Sequence, residues 1–134
     1  MMYRINLHTT AKVEFQDITT KISEILTNSG VENGICHIFV PHTTAGITIN
    51  EHADPSVVED ITNHLDIMVP QHTKYGHLEG NSPAHIKATI MGNSQVLLVE
   101  NGKLVLGTWQ GIFFCEFDGP RNRSIIIKTI SDRV

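Results

Sequence analysis

Cysteine is scarce in this chain. Only Cys36 and Cys115 occur, each inside an apolar run, so there is no disulfide framework and no CxxC motif for metal or redox chemistry. Two small buried thiols in a reducing cytoplasm are the expectation. A cationic excess is missing too. Ten Lys and Arg against 14 Asp and Glu give a net charge of −4, so no whole-molecule basic field draws in nucleic acid or anionic lipid. No stretch approaches the roughly 18 consecutive apolar residues of a membrane span. The opening Met1-Met2-Tyr3-Arg4-Ile5-Asn6 also lacks the apolar core of a signal peptide. Internal repeats, linkers and low-complexity tracts are absent. What remains is one domain over residues 1–134, 40% hydrophobic and long enough to bury a core without staples.

Hydrophobic periodicity places strands on both sides of helices. Tyr3, Ile5 and Leu7 alternate in a strand over 2–8, and Val13 and Phe15 mark another over 11–15. Asp17 is placed to cap a helix of about 18–28, with Ile18, Ile22, Ile25 and Leu26 on one stripe and Gly30 at its end. Ile35–Val40 is an apolar strand stopped by Pro41, and Ala45–Asn50 reads as its return strand. Asp54-Pro55 opens a second helix that buries Val57, Val58, Ile61 and Leu65. Residues 67–83 have no sustained period, which in a compact domain often marks function. Ser82-Pro83 then caps a short helix near 84–91. Asn101-Gly102, between Gln95–Glu100 and Lys103–Leu106, is a type I′ hairpin signal. Strands over Trp109–Phe117 and Ser124–Ile130 complete an α+β domain: a largely antiparallel sheet or sandwich with two main helices and one short one.

Three separated segments carry chemistry. In His77-Leu78-Glu79-Gly80-Asn81-Ser82-Pro83-Ala84-His85, two histidines and a carboxylate surround a glycine turn. His85 falls in the first turn of the short helix, where the positive end of the dipole disfavours imidazolium and leaves a neutral ligand. His42 follows a strand end in Pro41-His42-Thr43-Thr44. Together His42, His77 and His85 form a three-histidine set suited to a catalytic divalent metal. Glu51, Asp54 and Glu79 are candidates for an added ligand or for carboxylates that orient the imidazoles. Asp54 already has a capping role, and His72 is the first substitute should one of the three histidines lie elsewhere. The third segment is the polar, arginine-ended tail Glu116-Phe117-Asp118-Gly119-Pro120-Arg121-Asn122-Arg123, in which a turn at Asp118-Gly119-Pro120 presents Arg121 and Arg123, whose guanidinium groups suit phosphate or pyrophosphate. Each segment also has a plain reading: polar loop residues, and arginines paired in a solvated or salt-bridged turn. Gly107-Thr108-Trp109-Gln110-Gly111 breaks an apolar run with two glycines, a sign of a bulge or a close backbone approach.

His42-Thr43-Thr44-Ala45-Gly46-Ile47-Thr48-Ile49-Asn50-Glu51 with Ala53-Asp54-Pro55, the 77–87 segment, and Gly107-Thr108-Trp109-Gln110-Gly111-Ile112 together resemble the signature of the YjbQ-like proteins. The resemblance spans essentially the whole chain in three collinear motifs. One local departure is the short linker between His77 and His85, where some relatives carry a longer insertion. Members are described as secondary thiamine-phosphate synthase enzymes, so the resemblance implies a small α+β fold with a sandwich-like core, a homotrimer, and a pocket built from His42, His77 and His85. The site expected from these positions has His85, Glu79 and Glu51 as catalytic groups. Thr43, Thr44, Asn50, Asn81, Gln110, Arg121 and Arg123 would contact substrate, and His42, His77 and His85 would hold metal.

The reaction so implied joins a pyrimidine pyrophosphate to a thiazole phosphate and releases pyrophosphate, which requires charge stabilisation on the leaving group. Pyrophosphate-releasing sites usually hold Mg²⁺ through carboxylates and waters, whereas three histidines point to Zn²⁺. Zinc is therefore the first expectation and magnesium the second, and the mismatch marks synthase activity as secondary. Two alternatives accompany it: a metal-dependent hydrolase of a phosphorylated small molecule with Glu79 or Glu51 as base, and a non-catalytic binder of an anionic metabolite.

Overall fold

The computed structural model of the chain describes residues 1–132. In chain order these form β1 (Met2–His8), β2 (Glu14–Asp17), α1 (Thr19–Ser29), β3 (Gly34–Phe39), β4 (Ala45–Glu51), α2 (Pro55–Met68), α3 (Ser82–Met91), β5 (Ser94–Glu100), β6 (Lys103–Leu104), β7 (Gln110–Glu116) and β8 (Asn122–Ser131). The strands make a five-stranded sheet in the order β1-β8-β3-β5-β6 and a three-stranded sheet in the order β2-β7-β4. Every pairing is antiparallel. This is the α+β domain with a sandwich-like core that the periodicity anticipates.

β7 explains the layering. Its sequence Gln-Gly-Ile-Phe-Phe-Cys-Glu lacks polar alternation, and all of it after Gln110 is buried, as suits a strand covered on both faces. Ile112 and Phe114 face the larger sheet, packing with Leu7, Cys36, Ile38, Leu97, Ile125 and Ile127 and with Ile18, Ile22 and Leu26 near and on α1. Phe113 and Cys115 face the other way, onto Leu65 of α2 and Ala84 and Ala88 of α3. Burying each Ile, Leu or Phe side chain contributes about 1.5–3 kcal/mol. The core therefore lies in two slabs, one on each side of the small sheet.

Four expectations change in detail. Ala45–Asn50 is not the return strand of β3, because β5 and β8 occupy both edges of β3 and β4 pairs with β7 in the other sheet. The second strand begins at Glu14 rather than residue 11, since Lys12 gives its carbonyl to the N–H of Gly119 and not to a ladder. Asp17 sits one residue before the cap position held by Ile18, yet its carboxylate accepts from both the N–H and the hydroxyl of Thr19. The third helix starts at Ser82 rather than 84, with Asn81 at its cap position and no side-chain cap. His85 is thus its fourth residue. On α2, Asp54 caps through Ser56 N–H and Pro55 follows it. Only Leu65 of the predicted apolar face is fully buried there, with Val58 and Ile61 packed partly. The Asn101-Gly102 turn has both residues at positive φ, 52° and 75°, the geometry of a type I′ hairpin. No helix among the described residues is long and apolar enough to cross a membrane.

Candidate functional site

Where the chain crosses between the two sheets, four connections meet. The β3–β4 link supplies His42, Thr43 and Thr44. The irregular stretch before α3 supplies His77 and Glu79, Asn81 sits at the cap of α3 and His85 on the helix itself, and the β7–β8 turn supplies Asp118 and Arg121. They enclose a pocket of about 660 Å³ that also includes Asn93 and Arg123. A second hollow of about 450 Å³ lies beyond His42 and His85, floored by Ala45, Ala88 and Gly92. Collection of strand ends and loops at one edge of a rigid layer is how α+β folds position reactive groups.

His77 and His85 stand edge to face, ring centroids 5.3 Å apart and planes at 82°. Glu79 Oε2 lies 3.8 Å from His77 Nε2. His42 is held differently: the backbone N–H of Ser124 donates to its Nε2 at 3.0 Å. Burial and then the positive charge of Arg123 push the His42 imidazole below its ordinary pKa. Asn81 Nδ2 donates to Asp118 Oδ2 at 3.0 Å, while Asn81 Oδ1 is buried with no partner. Arg121 binds the same aspartate, Nε to its carbonyl at 2.7 Å and Nη2 to its carboxylate at 2.9 Å. Burial works against the Asp118 charge, but the hydrogen bonds from Asn81 and Arg121 outweigh it and hold the carboxyl below the usual range.

Beneath this surface lies a buried polar network. Arg123 pairs with Glu116 through Nε, at 2.8 Å to Oε1, and through Nη2 to Oε2, and it donates to Thr44 Oγ1 at 2.8 Å. Thr9 Oγ1 at 2.7 Å and the Asp118 N–H at 3.0 Å complete the hydrogen bonds to Glu116. Glu116 is fully buried and Arg123 nearly so.

Of the residues singled out from sequence, His42, Thr43, Thr44, His77, Glu79, Asn81, His85, Arg121 and Arg123 line the one pocket. Arg123 does so from underneath. It is committed to Glu116 and Thr44, so only Arg121, half exposed and paired with Asp118, stands at the rim. Glu51, Asn50 and Gln110 are not in the pocket. They sit at the far end of β4 and β7, where Glu51 pairs with Gln110, whereas Ala45 at the site end pairs with Glu116. Six strand residues at about 3.3 Å each put them roughly 20 Å away. His42 differs from the other two imidazoles in that its Nε2 lone pair already accepts from Ser124. Among the described residues no three His, Cys, Asp or Glu side chains close to the spacing of a metal site. His72 is not among the lining residues.

Sequence reading missed Asp118 as a site residue, treating it as a turn-former only. The available signal was its placement three residues before an arginine. The same reading placed Glu116 at the start of the third segment but gave it no role. The two glycines around Trp109 do mark a close approach: a Cβ on Gly111 would come within 2.3 Å of the His52 ring. His52 is itself held by Asp17 at 2.7 Å.

A two-layer antiparallel core with helices on the small sheet, and a polar pocket carrying three histidines at its edge, define a small α+β protein built around one imidazole-rich cleft. The sequence matches the description "UPF0047 protein YjbQ-like" over residues 3–132, and the chain belongs to that family. It is similar to UPF0047 protein MJ1081 of Methanocaldococcus jannaschii, 51% identical and covering 99% of this chain and 96% of that protein. YugU of Bacillus subtilis is 49% identical, with 96% and 98% covered. Among solved structures, an uncharacterized conserved protein of the family from Clostridium acetobutylicum superposes with a TM-score of 0.94 at 53% identity, covering 96% of this chain and 99% of that one. A protein of unknown function from Sulfolobus solfataricus gives 0.95 at 38% identity, with 98% and 97% covered.

Proposed function

We propose that the chain is an enzyme acting on a phosphorylated small molecule in the cleft between His42, His77, His85 and Arg121. The observation that carries this reading is the convergence of a close imidazole pair, a neighbouring carboxylate and an arginine on one pocket large enough for a metabolite. A divalent cation fits the pair. Two imidazoles on one tetrahedral zinc, with bonds of about 2.0–2.1 Å, have ring centres roughly 5 Å apart, close to the 5.3 Å between His77 and His85. His77 and His85 would hold the cation, with the remaining positions open to water and substrate, a nitrogen-led pair that favours zinc; magnesium is the alternative where carboxylate and waters dominate. Bound there, the cation would supply Lewis-acid stabilisation of phosphoryl charge. Arg121 binds the phosphate from the opposite wall, and the Asp118 carboxylate, itself fixed by Asn81, holds its guanidinium in place. Thr43, also on the lining, is a further donor.

Joining a pyrimidine pyrophosphate to a thiazole phosphate is the finer reaction we assign, as a slow secondary activity. The alternative within the same cleft is hydrolysis of a phosphate ester, favoured by the exposed Glu79 beside His77, a position open to a water and its base. The protein would act as a homotrimer in the cytoplasm. Val96, Leu98 and Ile130, exposed on the larger sheet, support the assembly, and the two free thiols Cys36 and Cys115 support the reducing compartment.

The test measures thiamine phosphate and released phosphate in parallel with purified protein, with and without chelator, beside His85→Ala. Product formation that chelator and His85→Ala both abolish is expected. Wild-type rates in His85→Ala would remove both reactions from this cleft. Folded, metal-loaded protein that binds phosphate without turning anything over would make it a binding protein.

A further inference from the structure

His42 was expected to be a ligand, and the structure ties up one of its two ring nitrogens. Its Nε2 accepts the Ser124 N–H at 3.0 Å. A ring nitrogen that accepts cannot also carry the proton, so neutral His42 has its proton on Nδ1. Protonating the ring would set Nε2–H against the Ser124 N–H, donor against donor. The local charges point the same way. Burial disfavours imidazolium and the charge of the nearly buried Arg123 adds to this, although Glu116 partly offsets it. Nδ1 has no protein partner among the described residues, and His42 borders the pocket, the hollow beyond it and a third recess beside Asn6 and Asn122.

Resting on the reading of this cleft as a phosphate-handling site, we propose that His42 is its neutral, fixed-tautomer hydrogen-bond donor, acting through Nδ1–H on an oxygen of the bound phosphoryl group. The Ser124 N–H holds its Nε2, and the charge of Arg123 disfavours its protonation. The roles of the three histidines then separate. His77 and His85 offer lone pairs, while His42 offers only a proton, held in a hydrogen bond and not transferred. The division suits an anionic ligand. Lone pairs on all three rings would repel an anion unless a metal intervened, whereas a neutral donor attracts an anionic oxygen and adds no charge beside Arg121. A donor held in place before the ligand arrives also needs no reorganisation as charge develops on that oxygen.

The first test reads the free protein and does not depend on any activity. Two-bond proton–nitrogen correlation spectra of nitrogen-15-labelled protein at pH 7, with the His42 signals assigned by their loss in His42→Asn, should show the Nδ1–H tautomer. The Nε2–H tautomer or an imidazolium pattern would overturn the proposal. The second test compares inorganic phosphate binding in wild type, His42→Asn and His42→Gln, after confirming by thermal melts that both variants fold. The Asn amide reaches the place of Nδ1 and the Gln amide that of Nε2. Phosphate affinity should stay within about threefold in His42→Asn and fall by at least about tenfold in His42→Gln, the range of one hydrogen bond to a charged group. Equal losses in the two variants would sink the donor role. Zinc affinity should be the same in wild type and His42→Asn, and a tenfold drop would restore His42 as a ligand. Wild type that binds no zinc defeats the metal reading alone, because the spectrum and the phosphate comparison still decide the role of His42.

Discussion

Take away one member of the Arg123–Glu116 pair and the domain should lose a large part of its stability. Glu116 is fully buried, and its carboxylate receives Arg123, the Thr9 hydroxyl and the Asp118 N–H. Glu116→Leu leaves a guanidinium in the interior with only Thr44 to satisfy it, and Arg123→Met leaves a carboxylate with two neutral donors. Breaking a buried pair in this way costs about 3–5 kcal/mol. For a domain of this length that corresponds to a fall in Tm of roughly 10–20 °C. Removing both partners costs much less than the sum, because neither charge is then stranded, although the Thr9 hydroxyl and Asp118 N–H still lose an acceptor. Urea denaturation of wild type, the two single variants and the double variant gives the coupling directly, and we expect at least about 2 kcal/mol. Effects that add to within about 0.5 kcal/mol would refute the pair as the element that ties the site to the fold.

The pH dependence supplies a second check on that pair. Burial opposes the Glu116 charge, but hydrogen bonds from Arg123, the Asp118 N–H and Thr9, with the charge of Arg123, hold its carboxyl below the usual 4.5. Over the interval between that lowered folded value and 4.5 the unfolded chain binds more protons than the folded one, so stability rises with pH there. The contribution is complete above 4.5 and is lost as pH falls through the folded value. The stability gap between wild type and Glu116→Leu should therefore narrow on acidification below about pH 4.5 and be constant near neutrality.

Gly111→Ala should destabilise by about 1–3 kcal/mol, the range for forcing extra atoms into a packed contact, because its Cβ meets the His52 ring at 2.3 Å. Adding His52→Ala should recover only part of that loss in a thermal melt, since the His52 Cβ itself lies 2.7 Å from the added atom, and no recovery would place the strain elsewhere. Light scattering should give three 14.9 kDa chains per particle, and Leu98→Glu, on the exposed apolar face of β5, should shift it toward monomer. A wild-type monomer at micromolar concentration would remove the assembly proposal.

How far the chain could be read in advance depended on whether its partners were local. The Asn101-Gly102 hairpin was legible because two adjacent residues at positive φ decide it. Asp54-Pro55 was legible for the same reason, a cap and its first turn being neighbours. The fate of Ala45–Asn50 was not, because β5 and β8 claim both edges of β3 from about sixty and ninety residues further along. The same distinction runs through the site. His42, His77 and His85 stood at a strand end, a glycine loop and a helix start, and these features survive folding. Arg121 and Arg123 looked equivalent at alternate positions. Only the pairing of β8 with β1, which sets Arg123 opposite Leu7, turns one of them inward to Glu116. Glu51 and Gln110 belong to conspicuous motifs, but spacing along a strand becomes distance, and β4 carries them away from the cleft.

β7 has the last word on how this cleft can change. Its buried run ends in Glu116, then Phe117 and Asp118, so one wall of the pocket is the continuation of the strand that both core slabs share. A substitution there is tried against the whole fold before it is tried against any ligand. The opposite wall, from Gln71 to Gly80, is exposed apart from Tyr75 and is fastened to little more than Pro70 and Gly80 by its own polar contacts. Away from His77 and Glu79, length and composition on that side can change at small cost to the fold, so one wall of the cleft is adjustable while the other is an anvil.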